Sequence, residues 1–168
     1  GLIIGGMTMT GLAGKFAHLV NDLTGSLQFP TLFVTACLTV VLGLGMPTPS
    51  AFILSAALMT PILTEIGVAT LPAHMFVFYY AVMSALTPPV AVAAYAASSI
   101  AEDNPLLIAV IAVKFALAAF IVPFAFVYGP ELLFEGPWHI ILISLITAIA
   151  GLILISAALE GYFKTHLV

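Results

Sequence analysis

From Phe29 to Val68 nearly every position is apolar, and the run is interrupted once, at "GLGMPTPS" (43–50). Gly43, Gly45, Pro47 and Pro49 fall within seven residues there, a strong turn signal. The arm before the break, Thr31–Leu42, has 12 residues, about 18 Å of helix at 1.5 Å per residue. The arm after it, Ser50–Glu65, has 16, roughly 24 Å on the same rise. A bilayer core is about 30 Å thick and calls for about 20 residues. Neither arm spans comfortably. The pattern therefore predicts a re-entrant helical hairpin over 29–68, with its Gly/Pro tip shielded by protein or water, since irregular backbone survives at that depth only there.

The same reading divides the rest of the chain. Residues 1–28 form one unit: "GLIIGGMTMTGLA" reads as the end of a membrane helix, and 14–28 as an amphipathic interfacial segment. In that segment Phe16, Leu19, Val20, Leu23 and Leu27 recur at helical spacing, while Lys15, His18, Asn21 and Asp22 face away. Residues 69–101 read as a discontinuous helix, "LPAHMFVFYYAVMSAL" and "AVAAYAASSIA" separated by "TPPV". Within 102–136, "EDNP" is a loop with Asn104 as N-cap and Pro105 as first helical residue. A span is predicted over 105–127, kinked at Pro123, followed by the interfacial loop "YGPELLFEGPWH". Residues 137–168 carry a final apolar span, 139–159.

Composition fixes the solvent. Hydrophobic residues make up 63 % of the 168 and charged residues 6 %, against roughly 25 % charged in a soluble domain. The chain reads as an all-α integral membrane protein. It has no arginine and three lysines, so nucleic acid is excluded as a partner, and membrane orientation cannot be read from positive charge. Cys37 is the single cysteine, which rules out an internal disulfide. The chain begins at Gly1 and is apolar from its second residue, as expected for a piece of a longer polypeptide.

The chemistry follows from the prolines. A helical N–H bonds the carbonyl four residues earlier, and proline has no N–H. Pro88 and Pro89 are thus expected to strip the carbonyls of Ser84 and Ala85 of partners, and Pro47 and Pro49 those of Gly43 and Gly45. An unsatisfied carbonyl in lipid costs several kcal/mol, about what a lost hydrogen bond does there. It must turn to water, a side chain or a cation. Broken transporter helices offer unwound carbonyls to sodium, while half-helix N-termini face anionic substrates. Thr48, Ser50 and Thr87 can add hydroxyl oxygens or cap the second arms. Pro47, Pro49, Ser50, Pro88 and Pro89 are placed toward the substrate.

Other residues weigh less. Lys114 lies nine residues beyond Pro105, and intramembrane charge is functional by default, but pairing with Glu102 or Asp103 is the plainer reading. His74 sits at a helix start. His18 and Asp22 share a face without making a metal site, and Tyr79 and Tyr80 read as packing. Nothing forms a nucleophile–base pair or a zinc helix. The chain is read as no enzyme, with no cofactor or metal beyond a coupling sodium.

At "GLGMPTPSAFILSAALMTPIL" followed by "PAHMFVFYYAVMSALTPPVAVAAYAA", the chain resembles the large membrane subunit of tripartite ATP-independent periplasmic (TRAP) transporters, most closely the fused permeases of the TAXI branch. The resemblance runs from about Gly1 to Glu135. It implies the second inverted repeat of an elevator-type secondary transporter, multi-pass in a bacterial or archaeal cytoplasmic (inner) membrane. It further implies sodium-coupled import of small organic anions, delivered by an extracytoplasmic substrate-binding protein, with the remaining half of the permease as partner. The family's second cation site maps to Gly43, Gly45, Met46 and Thr48 against Ser84, Ala85, Thr87 and Val90. Two rivals stand beside this: another sodium-coupled anion transporter with hairpins, and a structural or channel-like membrane subunit. The Ser-Asn-Thr tips usual in the first are not found here.

Overall fold

In the computed structural model, which describes residues 5–6, 9–160, 162–163 and 165–166, the chain is helical apart from one minimal strand pair. Helix α1 (Leu12–Thr24) stops where Gly25 takes φ +61 and sends its N–H back to the Asn21 carbonyl. Glycine adopts that left-handed turn at little cost. Of the membrane-helix end expected over 1–13, residues 1–4 and 7–8 lie outside the described residues.

The hairpin follows as α2 (Gln28–Gly43) and α3 (Thr48–Glu65). Helix α3 runs on through Pro61, and the hydroxyl of Thr64 donates to the carbonyls of Thr60 and Pro61. Helix α4 (Thr70–Met83) packs against both arms, and α1 lies on α3. Together they close one core, in which Leu32, Met59, Ile62, Leu63, Phe76 and Val77 are fully buried.

The polar residues of α1 hold it to the hairpin. Asn21 Nδ2 donates to Glu65 Oε2 at 3.1 Å, and the hydroxyls of Thr24 and Thr31 meet at 2.8 Å. The apolar face the spacing predicts is buried only in part, at Val20 and Phe16. Ala17, Val20 and Thr24 are buried, whereas Leu19, Leu23 and Leu27 are exposed. The small residues let α1 approach α3 closely, which leaves the leucines on the outer surface, where lipid suits them.

Beyond the second break, α5 (Val92–Ala101) and α6 (Pro105–Ala116) fold back on one another, bent by 116°. Asn104 caps α6, its side chain accepting from the Leu106 N–H at 2.9 Å, as the sequence predicts. The continuous span expected over 105–127 is not formed. Helix α6 ends at Ala116, a 3-10 turn covers Ala119–Ile121, and α7 (Val122–Tyr128) starts afresh with Pro123 in its first turn. The break precedes the proline rather than kinking at it. Pro123 cannot bond the Ala119 carbonyl, which instead accepts a tighter bond from the Val122 N–H. The Phe120 carbonyl takes the hydroxyl of Tyr80 at 2.6 Å.

A second 3-10 turn (Pro130–Leu133) leads to α8 (Trp138–Glu160). Strands β1 (Tyr162–Phe163) and β2 (Thr165–His166) then pair antiparallel. Among the described residues, Trp138–Leu159 is the one helix long and apolar enough to cross a bilayer unaided. The helices Gln28–Gly43 and Thr70–Met83 are apolar but shorter.

Candidate functional site

The tip of the hairpin is a tight turn. The Leu44 N–H reaches the Val41 carbonyl at 3.3 Å, the Met46 N–H reaches that of Gly43 at 3.2 Å, and Gly45 turns the chain at φ +75. Pro47 leads into α3 without any side-chain cap. The hydroxyls of Thr48 and Ser50 therefore do not cap the second arm.

The break after α4 unwinds in stages. The N–H groups of Ala85, Leu86 and Thr87 bond the carbonyls of Val82, Met83 and Ser84, each three residues back, at 3.1–3.2 Å. Pro88 and Pro89 follow, joined by a cis peptide. Ala91 holds φ +23, outside the comfortable range of a residue with a Cβ. The Ala93 N–H then reaches back across the break to the Ala85 carbonyl at 3.1 Å, pinning the second arm to the first.

Tip and break meet. A Cβ added to Gly43 would overlap the Ser84 hydroxyl and lie 2.7 Å from Ser84 Cβ, and one added to Gly45 would lie 3.2 Å from Val90 Cγ1. Gly43, Ser84 and Ala91 are buried; Met46, Thr48, Ala85, Thr87 and Pro88 are half-buried. Gly45, Pro47, Pro49, Ser50, Pro89 and Val90 are exposed. The junction is closed on one side and open on the other.

The fate of the carbonyls differs from the proline argument. Those of Gly43, Ser84 and Ala85 are not stripped: they accept from Met46, Thr87 and Ala93 respectively. Proline removes the donor four residues on, but a three-residue turn and a cross-break bond replace it. The carbonyls without a hydrogen-bond donor are those of Leu44, Gly45 and Met46 at the tip and Leu86, Pro88, Pro89 and Val90 in the break. Of these, the spacing argument reached only Gly45. An accepting carbonyl keeps a second lone pair, so all of these oxygens remain available to a hard cation.

Two hydroxyls add to the set. Ser84 Oγ donates to the Ala81 carbonyl at 2.7 Å and Thr87 Oγ1 to that of Met83 at 2.9 Å. With the proton committed, each oxygen offers only lone pairs outward. No acidic residue lies within 40–52 or 84–93, and no metal-binding cluster of His, Cys, Asp or Glu occurs among the described residues. Any cation here would rest on neutral oxygens and on the C-terminal ends of α2 and α4, whose dipoles are negative there.

The weaker candidates stay apart. Lys114 is exposed in the last turn of α6 and pairs with neither Glu102 nor Asp103. His74 Nδ1 meets the Thr70 carbonyl at 2.8 Å, and His18 and Asp22 are exposed. Tyr79 and Tyr80 pack on Phe126 and Phe124 of α7.

Residues 1–133 match the family model for the DctM component of the tripartite ATP-independent periplasmic transporters. The chain belongs to the DctM family. No curated protein and no solved structure matches it. The DctM match takes in the hairpin, both breaks and α7, and closes within the second 3-10 turn, so α8 lies beyond it. DctM proteins are membrane components of transporters, not an enzyme family, which places the tip–break junction in a permease.

Proposed function

We propose that the chain is the second repeat of an elevator-type, sodium-coupled permease that imports small organic anions, multi-pass in the cytoplasmic membrane. In this reading sodium sits between Gly43–Thr48 and Ser84–Val90, and the prolines with Ser50 face the substrate. The observation that carries it is the seating of Gly43 on Ser84, which brings two sets of donor-less carbonyls to one junction. Glycine at the contact lets the backbone of the tip approach the Ser84 side chain, and hard cations take oxygen ligands from such unwound segments. The positive N-terminal ends of α3 and α5 start at the same place and favour a carboxylate. Membership of a tripartite family supports an extracytoplasmic substrate-binding protein and a small membrane component as partners. The TAXI-type tip supports the fused form, in which the small component is part of the same polypeptide.

The test is Pro88→Ala with Pro89→Ala in the full-length permease. The new N–H groups let α4 continue and draw Leu86–Val90 into helix, removing their free carbonyls. Helix propensity favours that change, by up to about 3 kcal/mol per proline, so the variant should fold. Expected is loss of sodium-driven uptake in proteoliposomes and of the sodium-over-potassium gain in thermal stability. Thr87→Val separates side chain from backbone: a mild loss assigns the ligand to main-chain oxygen, a severe one to the hydroxyl. Wild-type sodium dependence in the double variant would reduce the breaks to packing kinks and favour the structural-subunit reading.

A further inference from the structure

Threonines inside the helices of this protein have a habit. The hydroxyls of Thr24 and Thr31 lie 2.8 Å from each other and from the carbonyls four residues earlier, and Thr64, Thr87 and Thr147 each donate the hydroxyl to such a carbonyl at 2.9–3.2 Å. Thr35, Thr39 and Thr60 do not, and with Ser55 their hydroxyl oxygens are buried without any hydrogen-bond partner. Thr35, Thr39 and Ser55 are 0 % exposed and Thr60 6 %. All four lie on the two arms of the hairpin.

Two of the four stand at one level. A Cβ on Gly43 would lie 3.5 Å from Ala51 Cβ, so these two positions face each other across the arms. One helical turn away from the tip along each antiparallel arm stand Thr39 and Ser55. A hydroxyl buried in an apolar setting without a partner costs about 1–3 kcal/mol, and the back-bond that other threonines use would remove that cost locally. Turning away from it is sensible only toward another polar partner.

We propose that Thr39 and Ser55, with Thr35 a turn below, hold an ordered water inside the hairpin, one turn under the Gly43–Ser84 junction. Buried waters typically bind about three otherwise unsatisfied polar groups. Water fits the chemistry better than a cation: each hydroxyl has a proton to donate, which a cation cannot accept, and no carboxylate is present to offset a buried charge. The water would couple the arms through hydrogen bonds rather than through packing alone.

A double-mutant cycle in the full-length permease tests this, with Thr39→Val, Ser55→Ala and the pair, read as melting temperature in sodium and in choline buffers. Thr147→Val, at an exposed position, gives the baseline for losing a back-bonded hydroxyl. Each single change is expected to lower the melting temperature by several degrees, and the pair to fall no further than the worse single, equally in both buffers. A density map of the full-length protein should show a water-sized peak within hydrogen-bond distance of both oxygens. Unchanged or raised melting temperatures, additive losses, or no such peak would overturn the proposal. Coupling seen only in sodium would also overturn it, assigning the site to a cation.

Discussion

Gly43 is where the backbone of the tip touches the break, and its lack of a side chain is what permits that. Any Cβ there meets the Ser84 side chain at 2.7 Å or closer, well inside normal contact distance, in a buried place with little room to yield. Gly43→Ala is therefore expected to lift the tip off the break, lowering both thermal stability and sodium affinity of the full-length permease. Ser84→Gly removes the obstructing atoms, so Gly43→Ala with Ser84→Gly should recover stability while still lacking the Ser84 oxygen. Thermal melts across a sodium titration check both. If Gly43→Ala behaves as wild type, the close approach has no role. The sequence exposed the glycine but not its partner: Ser84 lies 41 positions away, and only the fold of α4 beside the hairpin brings it there.

At the scale of elements, the arms were legible because their limits are chemical. A helix cannot continue through Gly43–Pro49, Gly25 ends the helix before the first arm, and Gly67, at φ +89, ends the second arm. The observed arms, Gln28–Gly43 and Thr48–Glu65, extend the predicted ones by only a few residues. If the hairpin is re-entrant, both its ends lie on one side of the membrane. Single cysteines at Gln28 and Gly67, in a Cys37→Ser background, are expected to react with an impermeant reagent from the same face. Labelling from opposite faces would make α2–α3 a crossing pair. The break at 117–121 was not legible in the same way. Pro123 announces a disturbance, but the Ala119 carbonyl it leaves takes the Val122 N–H, and the Phe120 carbonyl beside it takes the Tyr80 hydroxyl from another helix, which no local spacing shows.

Across the whole molecule, the Tyr80 hydroxyl joins α4 to the α6–α7 break over 40 residues of chain. Phe124 packs against both Phe76 and Tyr80 at ring-centroid distances of 5.4 and 6.3 Å. Tyr80→Phe keeps the ring and removes a hydroxyl donor from the Phe120 carbonyl, and losing such a hydrogen bond should cost about 0.5–1.5 kcal/mol. A lowered melting temperature with unchanged sodium response is expected. An unchanged melting temperature would show that the carbonyl finds another donor.

By itself the sequence determined the lipid environment, the Gly/Pro break between α2 and α3, the interruption after α4, the capped start of α6 and the family. Each rests on composition, on local backbone chemistry or on motifs read in order along the chain. Tertiary structure decided which face of α1 is buried, where α6 ends and which carbonyls are left without donors. It also decided that Thr39 and Ser55 share a level. In each case the outcome depends on which atoms the fold brings side by side, as the carbonyls illustrate. A proline removes a donor at a known position, but what replaces it comes from wherever the fold brings an N–H or O–H within reach, and that distance is not written in the spacing of residues.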